Sequence, residues 1–181
     1  MVFIVGAGLV LLAVFVVSAY NGLVTLRQRV RNAWAQVDVQ LKRRYDLIPN
    51  LVNTVKGYAS HERETFEQIT RARSQAMGAQ TVDEQAGAEN MLTGALKTLF
   101  AVAENYPELK ADRNFRQLQE ELTNTESKIA FARQFYNDTV QKYNIRTQVF
   151  PSNLIAGMFG FTGKAYFNAE GAEREAVEVR F

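Results

Sequence analysis

The chain carries one histidine and no cysteine, and these two counts bound the chemistry it can do. His61 is followed directly by Glu62, a pairing that could serve acid–base work or metal binding. A carboxylate-bridged di-iron bundle uses Glu-x-x-His on two helices. Here Tyr58 stands three residues before His61, and there is no second histidine. The same count excludes His-Glu-x-x-His and any zinc site built on two or three histidines. The lack of cysteine excludes disulfides, thiolate metal sites and a cysteine nucleophile. A serine triad would need His61 as its base, and no Gly-x-Ser-x-Gly turn is present. The glycines between 157 and 163 lack the Lys-Ser/Thr ending of a phosphate-cradling loop. Glu62, Glu64 and Glu67 are mixed with Arg63, Arg71 and Arg73, the pattern of a solvated helix face. Asn137-Asp138-Thr139 reads the same way. No catalytic, cofactor-binding or metal-ligating residue is expected, so the chain reads as a non-enzyme without a cofactor.

Nucleic acid is not an expected partner either. The net charge is only +2, and Trp34 and the tyrosines do not interleave with a dense basic stripe. A length of 181 residues suits one domain with a modest core. Three prolines and long Ala/Leu/Gln/Glu/Arg runs favour helix over sheet.

The strongest local signal is VFIVGAGLVLLAVFVVSAY, residues 2 to 20, which contains no charge. At 1.5 Å per residue, roughly 19 helical residues nearly span a ~30 Å hydrocarbon core. Tyr20 and Asn21 suit the membrane–water interface. A cleaved signal peptide is the rival, because Val17-Ser18-Ala19 resembles a small-residue cleavage site. Against it, no Lys or Arg precedes the apolar run, and the run is longer than the ~7–15 residues of a signal's apolar core. Behind the span come Arg27, Arg29 and Arg31, with no acid before Asp38. The positive-inside rule then places the short N-terminus outside and the rest in the cytoplasm. The arginines either attract anionic headgroups or form a solvated face.

The elements follow from spacing. Leu23, Leu26, Val30, Ala33, Val37 and Leu41 recur at three- and four-residue steps, so the membrane helix is expected to run straight into the soluble part. Leu41, Tyr45, Leu47, Ile48, Leu51, Val52, Val55, Tyr58 and Ala59 fill an apolar arc roughly 160° wide. Arg44 falls inside that arc and needs a carboxylate from another helix or a path to water. Pro49 frees the carbonyl of Tyr45, predicting a kink, with Asn50 and Asn53 nearby to pair with freed groups. The helix is expected to continue through Phe66 and Ile69 to Met77-Gly78. Thr81 to Glu84 has capping-box spacing for a second helix that stops before Pro107. A third begins near Asp112 on the seam Phe115, Leu118, Leu122, Thr125, Ile129, Ala132, Tyr136, Val140, Tyr143, and ends by Phe150-Pro151.

The expected fold is all-α. An anchor (1–21) leads into an antiparallel bundle of long helices (22–149), followed by a short apolar and acidic tail (150–181). In the tail, Leu154, Ile155, Met158, Phe159 and Phe161 either fold onto the bundle or contact the membrane surface or a partner. The last residues, NAEGAEREAVEVRF, are acidic with an alternating end, disordered or edge-like.

AWAQVDVQLKRRYDLIPNLVNTVKGYASHE closely resembles the most characteristic stretch of the LemA family. The blocks YNGLVTLRQRV, ADRNFRQLQEELTNTESKIAFARQFYNDTVQKYN and FPSNLIAGMFGF extend the resemblance over almost the whole chain. It implies a bacterial single-pass membrane protein with a helical bundle and a short external N-terminus. No catalytic activity is established for the family, so the resemblance speaks to architecture more than to function.

Two functions of different class fit these readings. One is a scaffold at the cell membrane that self-associates, with Leu23, Leu26, Val30, Val37 and Leu41 as the contact seam, unless those residues pack inside one copy. The other is an adaptor that binds another membrane protein, a protease or envelope-stress component, through Leu154, Ile155, Met158, Phe159 and Phe161. The expected partners are the chain itself, the lipid bilayer and, for the adaptor, that second protein.

Overall fold

The computed structural model describes residues 2–168, which form six α-helices and no strand. They are α1 (Val2–Lys56), α2 (Arg63–Gly78), α3 (Val82–Ala103), α4 (Pro107–Ala111), α5 (Arg113–Gln148) and α6 (Ser152–Met158). The acidic run expected at the end of the chain lies, from residue 169 onward, outside the described residues. Two compact units form. The first joins the chain up to Val37 with Ala132–Ala165, and the second joins Asp38–Phe131 with the residues from Tyr166 on. Residues 150–165 therefore group with the anchor segment.

In the first unit, α1 passes from the apolar run into the Arg27–Arg31 segment without a break, as the spacing predicts. Trp34 and Tyr136 meet edge to face with ring centroids 5.2 Å apart. On α5, Tyr136, Val140 and Tyr143 are buried at steps of four and three.

In the second unit, α2 and α3 are joined by a short connection and pack against each other as a helical hairpin. The capping box at the start of α3 is present. The Glu84 amide donates to Thr81 Oγ1 at 3.2 Å, and the Thr81 amide donates to the Glu84 carboxylate at 3.3 Å. Asp112 caps α5 by accepting from the Phe115 amide at 2.8 Å. The α5 seam is inward-facing here too: Phe115, Leu122, Thr125 and Ile129 are buried and Leu118 is half-buried.

Two expectations about the first soluble helix need correction. α1 does not continue to Gly78; it ends at Lys56, and α2 starts at Arg63. Gly57, the poorest helix former after proline, opens the break. The chain tightens there: the Tyr58 amide donates to Val55 O at 3.0 Å and the Glu62 amide to Ala59 O at 3.2 Å. Ala59 is buried, and the exposed Tyr58 donates its hydroxyl to Asp112 at 3.0 Å, so the turn is fastened at two points. Second, the group that answers Pro49, which lies inside α1, is not the one expected. The Tyr45 carbonyl released by Pro49 is satisfied by Arg73 Nε at 2.8 Å, not by Asn50 or Asn53. Arg73 thus leaves the solvated charge run to which its neighbours assigned it.

Candidate membrane-contact site

α1 is long and apolar enough to cross a membrane. Its apolar side chains face outward: Phe3 is 93%, Ile4 78% and Leu11 70% exposed. That is not the surface of a helix buried in its own fold, and the chain is membrane-associated. Burial of one face begins at half-buried Val16 and continues through Ala19 and Leu23, at steps of three and four. The chain thus covers α1 over the last turn of the apolar run. The ring of Tyr20 packs against Phe159 with centroids 4.8 Å apart and against Phe161 at 5.7 Å.

Phe159 and Phe161 follow α6, and the end of that helix explains their placement. Gly160 has φ +70, a left-handed conformation that favours glycine. The Phe161 amide donates to Ala156 O at 2.9 Å and the Gly160 amide to Gly157 O at 3.4 Å, the paired bonds of a Schellman cap. This cap turns Phe161 inward, where it is buried with the Arg27 guanidinium 5.0 Å from its ring centroid. The chain then runs back along α5. Asn144 holds Lys164 at both backbone groups, donating to its carbonyl at 2.9 Å and accepting from its amide at 2.8 Å. Tyr136 Oη donates to Ala165 O at 2.9 Å. At the other end of α6, Ser152 Oγ donates to Arg146 O at 2.7 Å. Burial of Tyr143 on α5 pushes its phenol pKa up, opposed by the nearby Arg27 charge.

α6 is consequently two-faced. Ser152, Ile155 and Ala156 are buried, whereas Leu154 is 57%, Met158 76% and the preceding Phe150 78% exposed. Leu154 and Met158 stand one turn apart on one side of the helix, and Phe150 lies in the turn before it. No charged residue lies between Arg146 and Lys164. The unit that contains this face is basic: its segments hold seven Lys or Arg and a single acid, Asp138. It therefore carries +6 where the whole chain is +2, leaving −4 for the rest of the sequence.

The other constellation of chemical groups is in the second unit. Arg44 Nη1 lies 2.6 Å from Glu89 Oε2, its Nη2 donates to Thr93 Oγ1 at 2.8 Å, and its Nε lies 2.8 Å from Glu126 Oε1. Tyr45 Oη donates to the second Glu89 oxygen, which also accepts from Gln85 Nε2 at 3.0 Å. Arg44, Tyr45, Gln85 and Glu89 are all buried. Burial, then the hydrogen bond to the Glu89 carboxylate, push the Tyr45 phenol pKa far up, so it remains a proton donor to Glu89. Every Glu89 oxygen is engaged by the chain's own groups, and what this arrangement does is hold α1 to α3. Among the described residues, no group of His, Asp and Glu side chains could hold a metal ion. His61 is exposed, in the turn before α2.

The seam proposed for contact between copies is placed otherwise. Leu23, Val30, Val37 and Leu41 are buried within the single chain, and Leu26 is half-buried. The three- and four-residue periodicity marked a real apolar face, and that face takes part in the chain's own packing. In the tail, Ile155 and Phe161 are turned inward, whereas Leu154, Met158 and Phe159 are exposed. Spacing did not identify Glu89. Its signal was its place on the α3 seam Gln85, Glu89, Leu92, Leu96, Leu99, Ala103, a charge among buried positions that matches Arg44 in the α1 arc.

The chain is 27% identical over 168 residues to a protein LemA of Metamycoplasma hominis, covering 90% of this chain and 75% of that protein. It is 25% identical over 179 residues to magnetosome protein MamQ 2 of Paramagnetospirillum magneticum, covering 84% of this chain and 66% of the relative. Magnetosome protein MamQ of Magnetospirillum gryphiswaldense is 24% identical, with the same coverage. The LemA family model matches residues 33–181, most of the chain, and on this match the chain belongs to the LemA family.

Proposed function

We propose that this protein is a non-catalytic scaffold, anchored in the cell membrane by α1, with the sequence before the span outside and the remainder cytoplasmic. The observation that carries this reading is the charge distribution around an exposed apolar helix. Arg27, Arg29 and Arg31 follow the span with no acid before Asp38, and basic residues close to the end of a span are retained on the cytoplasmic side. The buried polar cluster supports the absence of catalysis, because its groups satisfy one another and leave no poised acid, base or nucleophile.

Self-association belongs to the same proposal. A shared membrane plane removes much of the orientational freedom that association otherwise costs, so modest contacts suffice. With four of the five seam residues buried, the contact uses other, exposed parts of the chain.

Size measurement of the full chain in mild detergent, with mass spectrometry of what co-purifies, tests the reading. A homogeneous complex containing only this chain is expected. A monomer that recovers a second membrane protein in fixed ratio would replace the scaffold with an adaptor.

A further inference from the structure

We infer that α6 is a second membrane contact: a short helix that lies in the interface of the leaflet where α1 leaves the bilayer, with Leu154 and Met158 among the acyl chains. The inference rests on the reading of α1 as a membrane anchor and adds the lipid surface as the occupant of the α6 outer face.

Position is the first support. Phe159, the residue after α6, packs on Tyr20, which ends the exposed apolar run, and the chain's cover on α1 starts a turn earlier at Val16. An element fastened to α1 at that level meets the bilayer surface once α1 spans it. The face it brings there is the second support. Leu154 and Met158 stand four residues apart on α6, Phe150 precedes the helix, and all three are more than half exposed. In water such a face is an unprotected apolar patch. The third support is charge. The uncharged stretch is bounded by Arg146 and Lys164, both exposed, and Arg29 and Arg31 are exposed on α1 beyond Tyr20. Basic groups flanking an apolar face complement a surface of anionic headgroups.

The attachment is built to hold. The Ser152 bond to Arg146 O fixes one end of α6, and the Schellman cap with buried Phe161 fixes the other. Behind it, Asn144 and Tyr136 clamp Lys164 and Ala165 to α5. The outer face of α6 is thus held at one level relative to Tyr20.

The chain has no cysteine, so single-cysteine labels report on one site each. Met158→Cys, Leu154→Cys, Val10→Cys and Gln134→Cys full-length variants would carry an environment-sensitive fluorophore. Each is reconstituted at one copy per nanodisc in lipid containing anionic headgroups. Gln134 lies near Tyr136, which meets Trp34, two heptads beyond Tyr20 and roughly 21 Å along the helix axis. The Met158 and Leu154 labels should lose most of their emission to a quencher borne on shallow acyl positions and little to a water-soluble quencher. The Gln134 label should do the reverse, and the Val10 label should respond to a deep-lipid quencher. If the Met158 and Leu154 labels instead follow Gln134 while Val10 is lipid-quenched, the α6 inference is overturned and the anchor stands. If Val10 is also quenched from water, both fail. Protection of the α6 labels from both quenchers would mean that protein covers the face, which also overturns the inference.

Discussion

Removing the Glu89 carboxylate leaves the Arg44 guanidinium buried with Glu126, 40% exposed, as its remaining acid. Breaking one side of a buried pair costs about 3–5 kcal/mol. Glu89→Ala should therefore lower the melting temperature sharply in a circular dichroism melt, while Arg44→Met with Glu89→Leu should recover most of the loss. His61→Ala should change neither fold nor behaviour; a strong phenotype with intact fold would revive a chemical role for that residue. A pH dependence belongs at Asp112. The Phe115 amide bond, with the Tyr58 bond and the nearby Arg116 charge, holds its carboxyl below the ordinary value of 3.8. A carboxyl with a depressed folded-state pKa contributes stability that is fully present above the unfolded value and is lost as pH falls through the folded one. The wild-type chain should lose helix stability as pH drops below that ordinary value, and Asp112→Ala should show a shallower loss over the same window. At this scale the sequence said that Arg44 needed a carboxylate or a path to water but not which, because pairing across helices depends on which faces meet.

The long amphipathic elements were legible because burial follows the helical period. The α5 seam from Phe115 to Tyr143 turns inward as its spacing predicts. The break after Lys56 was not legible, since the apolar arc runs on past it to Tyr58 and Ala59. The turn there is fixed by tertiary bonds, above all Tyr58 to Asp112, more than fifty residues away in sequence. Leu122→Asp should unfold the second unit by burying an unpaired carboxylate, at a cost on the order of 4 kcal/mol or more. Val30 and Val37, at 5% and 0% exposure, give the sharper case. Changing both to Ser should lower thermal stability by roughly 2 kcal/mol per site and leave the size of the detergent complex unaltered. A smaller complex with an unchanged melt would restore that seam as the contact between copies.

For the molecule as a whole, the uncharged run and the arginines close behind it favour one orientation. That proposed orientation rests on charges the sequence itself displays. What could not be read was the level at which the tail attaches, since that depends on Tyr20 meeting Phe159 from the far end of the sequence. The account turns on α1 as an anchor with the remainder of the chain cytoplasmic, and protease access to sealed vesicles tests this most directly. In inverted vesicles, added protease should digest everything beyond the span. In right-side-out vesicles the chain should remain full length until the membrane is opened with detergent. Digestion of the helical part from outside sealed right-side-out vesicles would contradict the account.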